Sequence, residues 1–193
     1  MKLVFATHNQ HKLEEVRAIL SRATPHTVAG LTEMGLTTPI PETGTTLAEN
    51  ALIKARFVWE KFGLPCFSDD TGLEVAALGG APGVYSARYA GEGCSYLDNV
   101  NLLINNLRHE KNRKARFCTT IALIINGQEY LFEGEVNGEI LNSGSGTGGF
   151  GYDPVFLPDG YDQTFAEMTA DLKNSISHRG RAMQRLVTFL SMM

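Results

Sequence analysis

Adjacent carboxylates stand out first: Asp69-Asp70, followed by Thr71-Gly72. Neighbouring residues of an extended chain point to opposite faces, so the two need not share one job. One can bind a divalent metal while the other binds or activates a water. Mg²⁺ takes one or two carboxylates plus waters and substrate phosphates, and Glu42, within Pro41-Glu42-Thr43-Gly44, is a further candidate ligand. The plain alternative is a turn, since Asp-Asp-Thr-Gly is good turn chemistry.

Cations and neutral donors lie elsewhere in the chain. Thr7-His8-Asn9-Gln10-His11-Lys12 falls between a predicted strand and a predicted helix. Backbone N–H groups and the dipole at a helix start favour an anion there. Thr7 and Asn9 add neutral donors, and Lys12 adds a point charge suited to phosphate. The glycines of a Walker A loop are missing, and a simple Thr or Asn helix cap reads the same stretch more plainly. Lys54 lies inside another predicted helix, where by itself it reads as part of a solvated face.

The glycine-dense run Gly146-Thr147-Gly148-Gly149-Phe150-Gly151-Tyr152-Asp153-Pro154 would let backbone approach a ligand closely. Phe150 or Tyr152 offers a face for a base, a contact worth about 1–3 kcal/mol. Asp153 can accept a hydrogen bond from a base edge. A flexible loop with a core-plugging Phe is the alternative. Lys173 and Ser177-His178-Arg179-Gly180 come last: Arg179 offers a planar fork for a carbonyl or phosphate, His178 a neutral donor. Solvated basic residues at a helix start are the alternative here. Together these stretches supply the parts a Mg-nucleoside-triphosphate site needs.

The elements that must position them follow from periodicity. Lys2 to Ala6 is a short apolar strand. From His11, Leu13, Val16, Ile19 and Leu20 recur at helical spacing. Thr46-Leu47-Ala48-Glu49 fits a capping box opening a helix from Leu47 to Phe62, with Gly63 as its stop. Pro65 to Ser68 reads as a short strand that ends at Asp69-Asp70. A helix from Ser95 carries Leu97, Val100, Ile104 and Leu107 on its inner face. Ala115 to Ile125 is apolar on both faces, as a central strand should be, and Asn126-Gly127 turns it back into Gln128 to Val136. Ser143 to Gly151 cannot be regular, and a final helix runs from Ser177 or Arg181 to Leu190. The class is α/β (mixed α+β) with a twisted mixed sheet. Without repeats or long linkers, residues 1–193 read as a single domain.

Bulk properties narrow the functions. A net charge of −4 argues against general nucleic-acid coating. Three widely spaced cysteines without a CxxC pair suit reduced thiols rather than a disulfide framework. The short apolar start and the lack of a long apolar run lead us to expect a soluble cytoplasmic protein with no membrane partner.

These motifs, in this order, resemble those of the inosine/xanthosine-triphosphate pyrophosphatases, also called Ham1-like or RdgB-like proteins. The resemblance runs nearly end to end. It is carried by Thr7-x-Asn9-x-x-Lys12, Glu42-Thr43-Gly44, Glu49-Asn50-Ala51 through Lys54-Ala55, and Ser68 to Leu73. Gly79 to Tyr89, Gly146 to Pro154 and Ser177 to Gly180 complete it. It implies an elongated, two-lobed fold with a central substrate cleft, a homodimer, Mg²⁺ as cofactor and a non-canonical purine triphosphate as substrate. By the same resemblance, Thr7, Asn9 and Lys12 hold the triphosphate, joined by Lys54, and His8, Gln10 and His11 belong to the same substrate-binding stretch. Glu42, Asp69 and Asp70 position the metal, with Asp70 also the general base. Thr71, Phe150, Gly151, Tyr152, Asp153, Lys173, His178 and Arg179 complete the substrate site. A non-catalytic nucleotide binder and a Maf-like pyrophosphatase of different base choice are the alternatives.

Overall fold

A computed structural model describes residues 1–193. The chain order is β1 (Lys2–Phe5), α1 (Gln10–Ala23), β2 (Thr27–Gly30), α2 (Leu47–Phe62), β3 (Cys66–Val75), β4 (Pro82–Gly83) and α3 (Tyr96–Asn106). Then come β5 (Lys114–Ile125), β6 (Gln128–Ile140), β7 (Phe156–Pro158), α4 (Ala170–Ile176) and α5 (His178–Ser191). The sheet is mixed, in the order β2-β1-β3-β5-β6-β7, with β4 beside β3. β1 pairs in parallel with both β2 and β3, whereas β6 pairs antiparallel with β7. The mixed α/β class expected from the sequence is the one observed.

Local chemistry sets the element ends. Thr46 Oγ1 accepts from Glu49 N at 3.1 Å and Glu49 Oε2 from Thr46 N at 3.2 Å, so two orphan donors at the start of α2 are satisfied reciprocally. Gly63, at φ 62°, ends that helix in a left-handed conformation that costs glycine nothing. Asn126 and Gly127 both have positive φ, as the tight turn between β5 and β6 requires.

The contacts group into two compact units: residues 1–70, 119–134 and 179–193, and residues 71–118 and 135–178. The first holds two clusters. One joins Leu3, Phe5 and Phe67 to Leu13, Val16 and Leu20 of α1 and Met183, Leu186 and Leu190 of α5. The other packs Ala51, Ala55 and Val58 of α2 against Val4, Cys66 and Ile124. The second unit is built on Val100 and Leu103 of α3 and Leu107 just past its end, with Phe117, Phe156 and Phe165.

Three expectations are corrected. The strand predicted to end at Ser68 runs on to Val75, so Asp69-Asp70 lie inside β3 rather than in a turn. Leu97, assigned to the inner face of α3, is 65% exposed; the buried face is carried by Asn99, Val100 and Leu103. β6 continues past Val136 to Ile140, through Gly138. A Cβ on Gly138 would run into the Leu157 carbonyl oxygen, so glycine here permits the approach of β7.

Candidate active site

The first unit gathers a cluster of opposite charges around the middle of β3. Asp69 and Asp70 are both buried and, being neighbours on a strand, meet different partners. Asp69 Oδ1 accepts from Lys12 Nζ at 2.9 Å and its Oδ2 from Arg179 Nε at 3.0 Å. Asp70 Oδ1 faces Lys54 Nζ at 3.6 Å. That ammonium also donates to Glu42 Oε1 at 2.8 Å and to the Asp69 carbonyl at 2.7 Å. Glu15 of α1 accepts from Arg179 Nη1 at 2.6 Å. Helix starts supply two of the cations: Lys12 follows the Asn9 cap of α1, and Arg179 stands in the first turn of α5.

Lys54 therefore does not belong to a solvated face. Its stem lies along α2 among Ala51, Ala55 and Val58, and its charge is kept by the carboxylates around it. Burial of a charged group is tolerated only when paired in this way.

Electrostatics divide the two aspartates. Burial works to raise the Asp69 carboxyl, but Lys12, Arg179 and Lys54 outweigh it and hold its pKa well below the ordinary carboxylate range. For Asp70 burial dominates: it pushes the pKa up, opposed by Lys54 and assisted by Glu42. Burial likewise lowers Lys12, whereas at Lys54 the carboxylates Asp70, Glu42 and Asp69 overcome burial and raise it. A carboxylate with a depressed pKa thus sits beside one with an elevated pKa, a pattern found where acid–base chemistry is done.

Thr7 and Asn9 use their side chains locally at the start of α1. Asn9 Oδ1 accepts from Lys12 N at 3.2 Å as the helix cap, and Thr7 Oγ1 accepts from Asn9 N at 3.1 Å. His8 Nε2 lies 3.1 Å from Thr38 O, Gln10 bonds to Glu14, and His11 is exposed. Lys12 of this group joins the buried cluster.

The second unit holds the remaining candidates. Lys173 Nζ donates to Asp153 Oδ2 at 2.6 Å and lies 4.8 Å from the centre of the Phe150 ring. Asp153 Oδ2 also accepts from Phe150 N at 2.9 Å, fixing the loop. A Cβ on Gly149 would collide with that carboxylate. Of the two aromatics, Phe150 is half-buried and accessible, while Tyr152 is buried and donates its hydroxyl to Ser86 O at 2.7 Å. His178 is buried, its ring stacked on Phe117 at 4.6 Å. Thr71 and Gly151 are each partly exposed. Sequence reasoning missed Glu15, whose only signal is its place one helical turn after Lys12.

No helix is long and apolar enough to cross a membrane, and Cys66, Cys94 and Cys118 are free thiols.

The sequence matches the Ham1 family model over residues 3–189. It is 48% identical over 191 residues to a dITP/XTP pyrophosphatase of Flavobacterium johnsoniae, covering 99% of this chain and 98% of that protein. A dITP/XTP pyrophosphatase of Porphyromonas gingivalis is 52% identical over 190 residues, with 98% and 97% covered. Among solved structures, a HAM1 protein from Coxiella burnetii superposes with a TM-score of 0.90 at 38% identity, covering both chains fully. The Staphylococcus aureus Ham1 protein gives 0.87 at 37% identity, with 99% and 98% covered.

Proposed function

The chain belongs to the Ham1 family, and on that premise we propose that it hydrolyses non-canonical purine nucleoside triphosphates (ITP, dITP and XTP) to monophosphate and pyrophosphate, cleansing the nucleotide pool. The observation that carries this reading is the buried cluster around Asp69-Asp70, with Lys12, Lys54 and Arg179 beside Glu42 and Glu15.

In this reading Lys12 and Lys54 exchange part of their hold on carboxylates for phosphate oxygens, assisted by Thr7 and Asn9. His8, Gln10 and His11 lie at the rim of the same loop. Asp70 takes a proton from a water that attacks the α-phosphorus, a role suited to a carboxyl whose pKa burial raises. The donor chemistry suits Mg²⁺: the set is all hard oxygen, and Glu42 and Asp70 converge on one ammonium. Glu42 and Asp70 would hold the ion first; Asp69 would have to release Lys12 or Arg179 to join them. When bound, Mg²⁺ neutralises phosphate charge and stabilises pyrophosphate as the leaving group.

Phe150 supplies the stacking face for the base, and Asp153, Lys173, His178 and Arg179 supply polar partners, with Thr71, Gly151 and Tyr152 as the surrounding wall. A purine 6-keto group suits donors such as Arg179; a 6-amino group would leave them unpaired, which is costly when buried. Residues 1–193 are taken as one catalytic domain because the family match runs through both units. The family resemblance supports a homodimer, the net charge of −4 argues against a nucleic-acid partner, and the unbridged cysteines suit a cytoplasmic enzyme.

The test is pyrophosphate release from ITP, dITP, XTP, ATP, GTP and dTTP, each with Mg²⁺ and with EDTA. Mg²⁺-dependent release confined to the first three is expected. Orthophosphate as product, or no turnover, would overturn the reading.

A further inference from the structure

Charge is unevenly spread along the chain. The net charge is −4, yet Arg108, Lys111, Arg113, Lys114 and Arg116 fall in one short stretch between the end of α3 and the start of β5. Two of the five are engaged nearby. Arg116 pairs with Glu74 at 2.7 Å and with Glu135 at 3.3 Å, and Arg108 Nη1 donates to Asn105 Oδ1 at 3.3 Å. The other three line a cavity of about 400 Å³ within the second unit, together with Asn112, Asn142 and Glu139. Arg113 forms its fixed wall. The guanidinium donates to three backbone carbonyls, from Nε to Ile140 O at 2.5 Å, from Nη1 to Leu107 O at 3.0 Å and from Nη2 to Leu141 O at 2.9 Å. Ile140 N donates back to Arg113 O at 2.9 Å. Carbonyls are dipoles, so they hold the guanidinium in place and leave its positive charge uncancelled. They engage three of its five N–H groups.

Lys111 and Lys114 are exposed at the mouth of this cavity, and Glu139 is the one carboxylate of its lining. Asn112 Oδ1 accepts from Lys114 N at 3.1 Å, which leaves the Asn112 amide nitrogen as a donor. Two ammonium groups beside a guanidinium make a donor set suited to phosphate oxygens. The lining also limits the ligand. It contains no aromatic side chain, so a base has nothing to stack on there. The volume falls within the roughly 300–1,000 Å³ of small-molecule sites, and a concave lining suits a compact anion better than a polymer. We propose that this cavity binds a compact inorganic phosphate anion, orthophosphate or pyrophosphate, held by Lys111, Arg113 and Lys114 with Asn112 and Asn142 as neutral donors. None of these residues belongs to the substrate site, so the inference stands apart from the pyrophosphatase reading.

The test is an NMR titration of the backbone amides of the full chain, without divalent metal and at constant ionic strength, with pyrophosphate and separately with orthophosphate. Saturable shifts are expected at Lys111 to Lys114 and at Asn142. Pyrophosphate held at the Asp69-Asp70 cluster would shift a different set, around Lys12 and Lys54, so the two sites are read apart. Tighter binding of pyrophosphate assigns a ligand of two phosphates, and equal binding a single phosphate group. Lys111→Gln/Lys114→Gln alters two exposed side chains and should weaken binding here about tenfold or more, the loss of two charge-assisted contacts. It should leave the shifts around Lys12 and Lys54, and any turnover of dITP, unchanged. Shifts at Lys111 to Lys114 that do not saturate, or that NaCl reproduces, would overturn the inference. So would an unchanged affinity in the double variant, or tighter binding of a single-stranded oligonucleotide than of pyrophosphate.

Discussion

Arg179 Nε donates to Asp69 Oδ2 at 3.0 Å, and each side chain is only 2% exposed. This pair fastens the first turn of α5 to the middle of β3, while Glu15 holds the other end of the guanidinium. Buried charges of this kind are costly to desolvate and costlier still to leave alone.

Asp69→Asn should therefore destabilise the fold by about 3–5 kcal/mol, because Lys12 and Arg179 lose their shared carboxylate while remaining buried. Urea unfolding followed by circular dichroism measures this. The pH dependence has a definite sign. The folded pKa of Asp69 is depressed, so its stabilisation is complete above the ordinary carboxylate pKa of about 4 and fades as pH falls below it. The wild type should lose stability in that acid window more steeply than Asp69→Asn does. Parallel acid titrations of the two proteins would sink this account.

Asp70→Asn should behave in the opposite way. Burial disfavours the Asp70 charge, so removing it should leave stability unchanged or slightly raised. Turnover should nevertheless fall by roughly 10²–10⁴, as the loss of a general base does. In the wild type the acid limb of kcat/KM should lie above the usual carboxylate range. Full activity in Asp70→Asn would remove Asp70 from the mechanism.

The legible parts of this fold were those coded locally. The Thr46–Glu49 capping box, the Gly63 stop and the Asn126-Gly127 turn fix their elements by nearest-neighbour chemistry, and each was readable from the sequence. β2 has four residues and gains its identity only by parallel pairing with β1, so no local signal announced it. α4, seven residues long, was missed for want of periodicity. The length of β3 was misread because Asp-Asp-Thr-Gly favours a turn locally. Cations from positions 12, 54 and 179 override that preference, and only the folded chain brings them there. The Lys54 charge looked solvated for the same reason: its partners lie twelve or more positions away.

Lys173→Met should unsettle the second unit. Lys173 and Asp153 are each about 5% exposed at the side chain and are paired at 2.6 Å. Methionine preserves the stem but strands the carboxylate, at a cost of about 3–5 kcal/mol. The ammonium also lies over the Phe150 and Phe165 rings, at 4.8 and 5.8 Å, a further attraction lost with the charge. The double variant Lys173→Met/Asp153→Asn should recover much of the loss, and thermal melts of the three proteins test it. A single variant as stable as the wild type would show that the pair is not needed.

Cys66 offers a probe of how often the first unit opens. Its side chain is fully buried on β3, the Sγ donates to Ala55 O at 3.3 Å, and burial pushes the thiol up to about 12. At pH 8 the thiolate fraction is then about 10⁻⁴, and the sulfur is shielded from reagent as well. Iodoacetamide should label Cys94 and Cys118, which are partly exposed, before Cys66. Labelling of Cys66 should instead follow the population in which β3 is released from α2. Asp69→Asn weakens the charged tie on the same strand and should raise that population by roughly the factor its loss of stability implies, tenfold for each 1.4 kcal/mol. Mass spectrometry of timed alkylation reads both rates. Equal labelling of Cys66 in the variant and the wild type would mean that the Asp69 tie does not govern the opening of this strand.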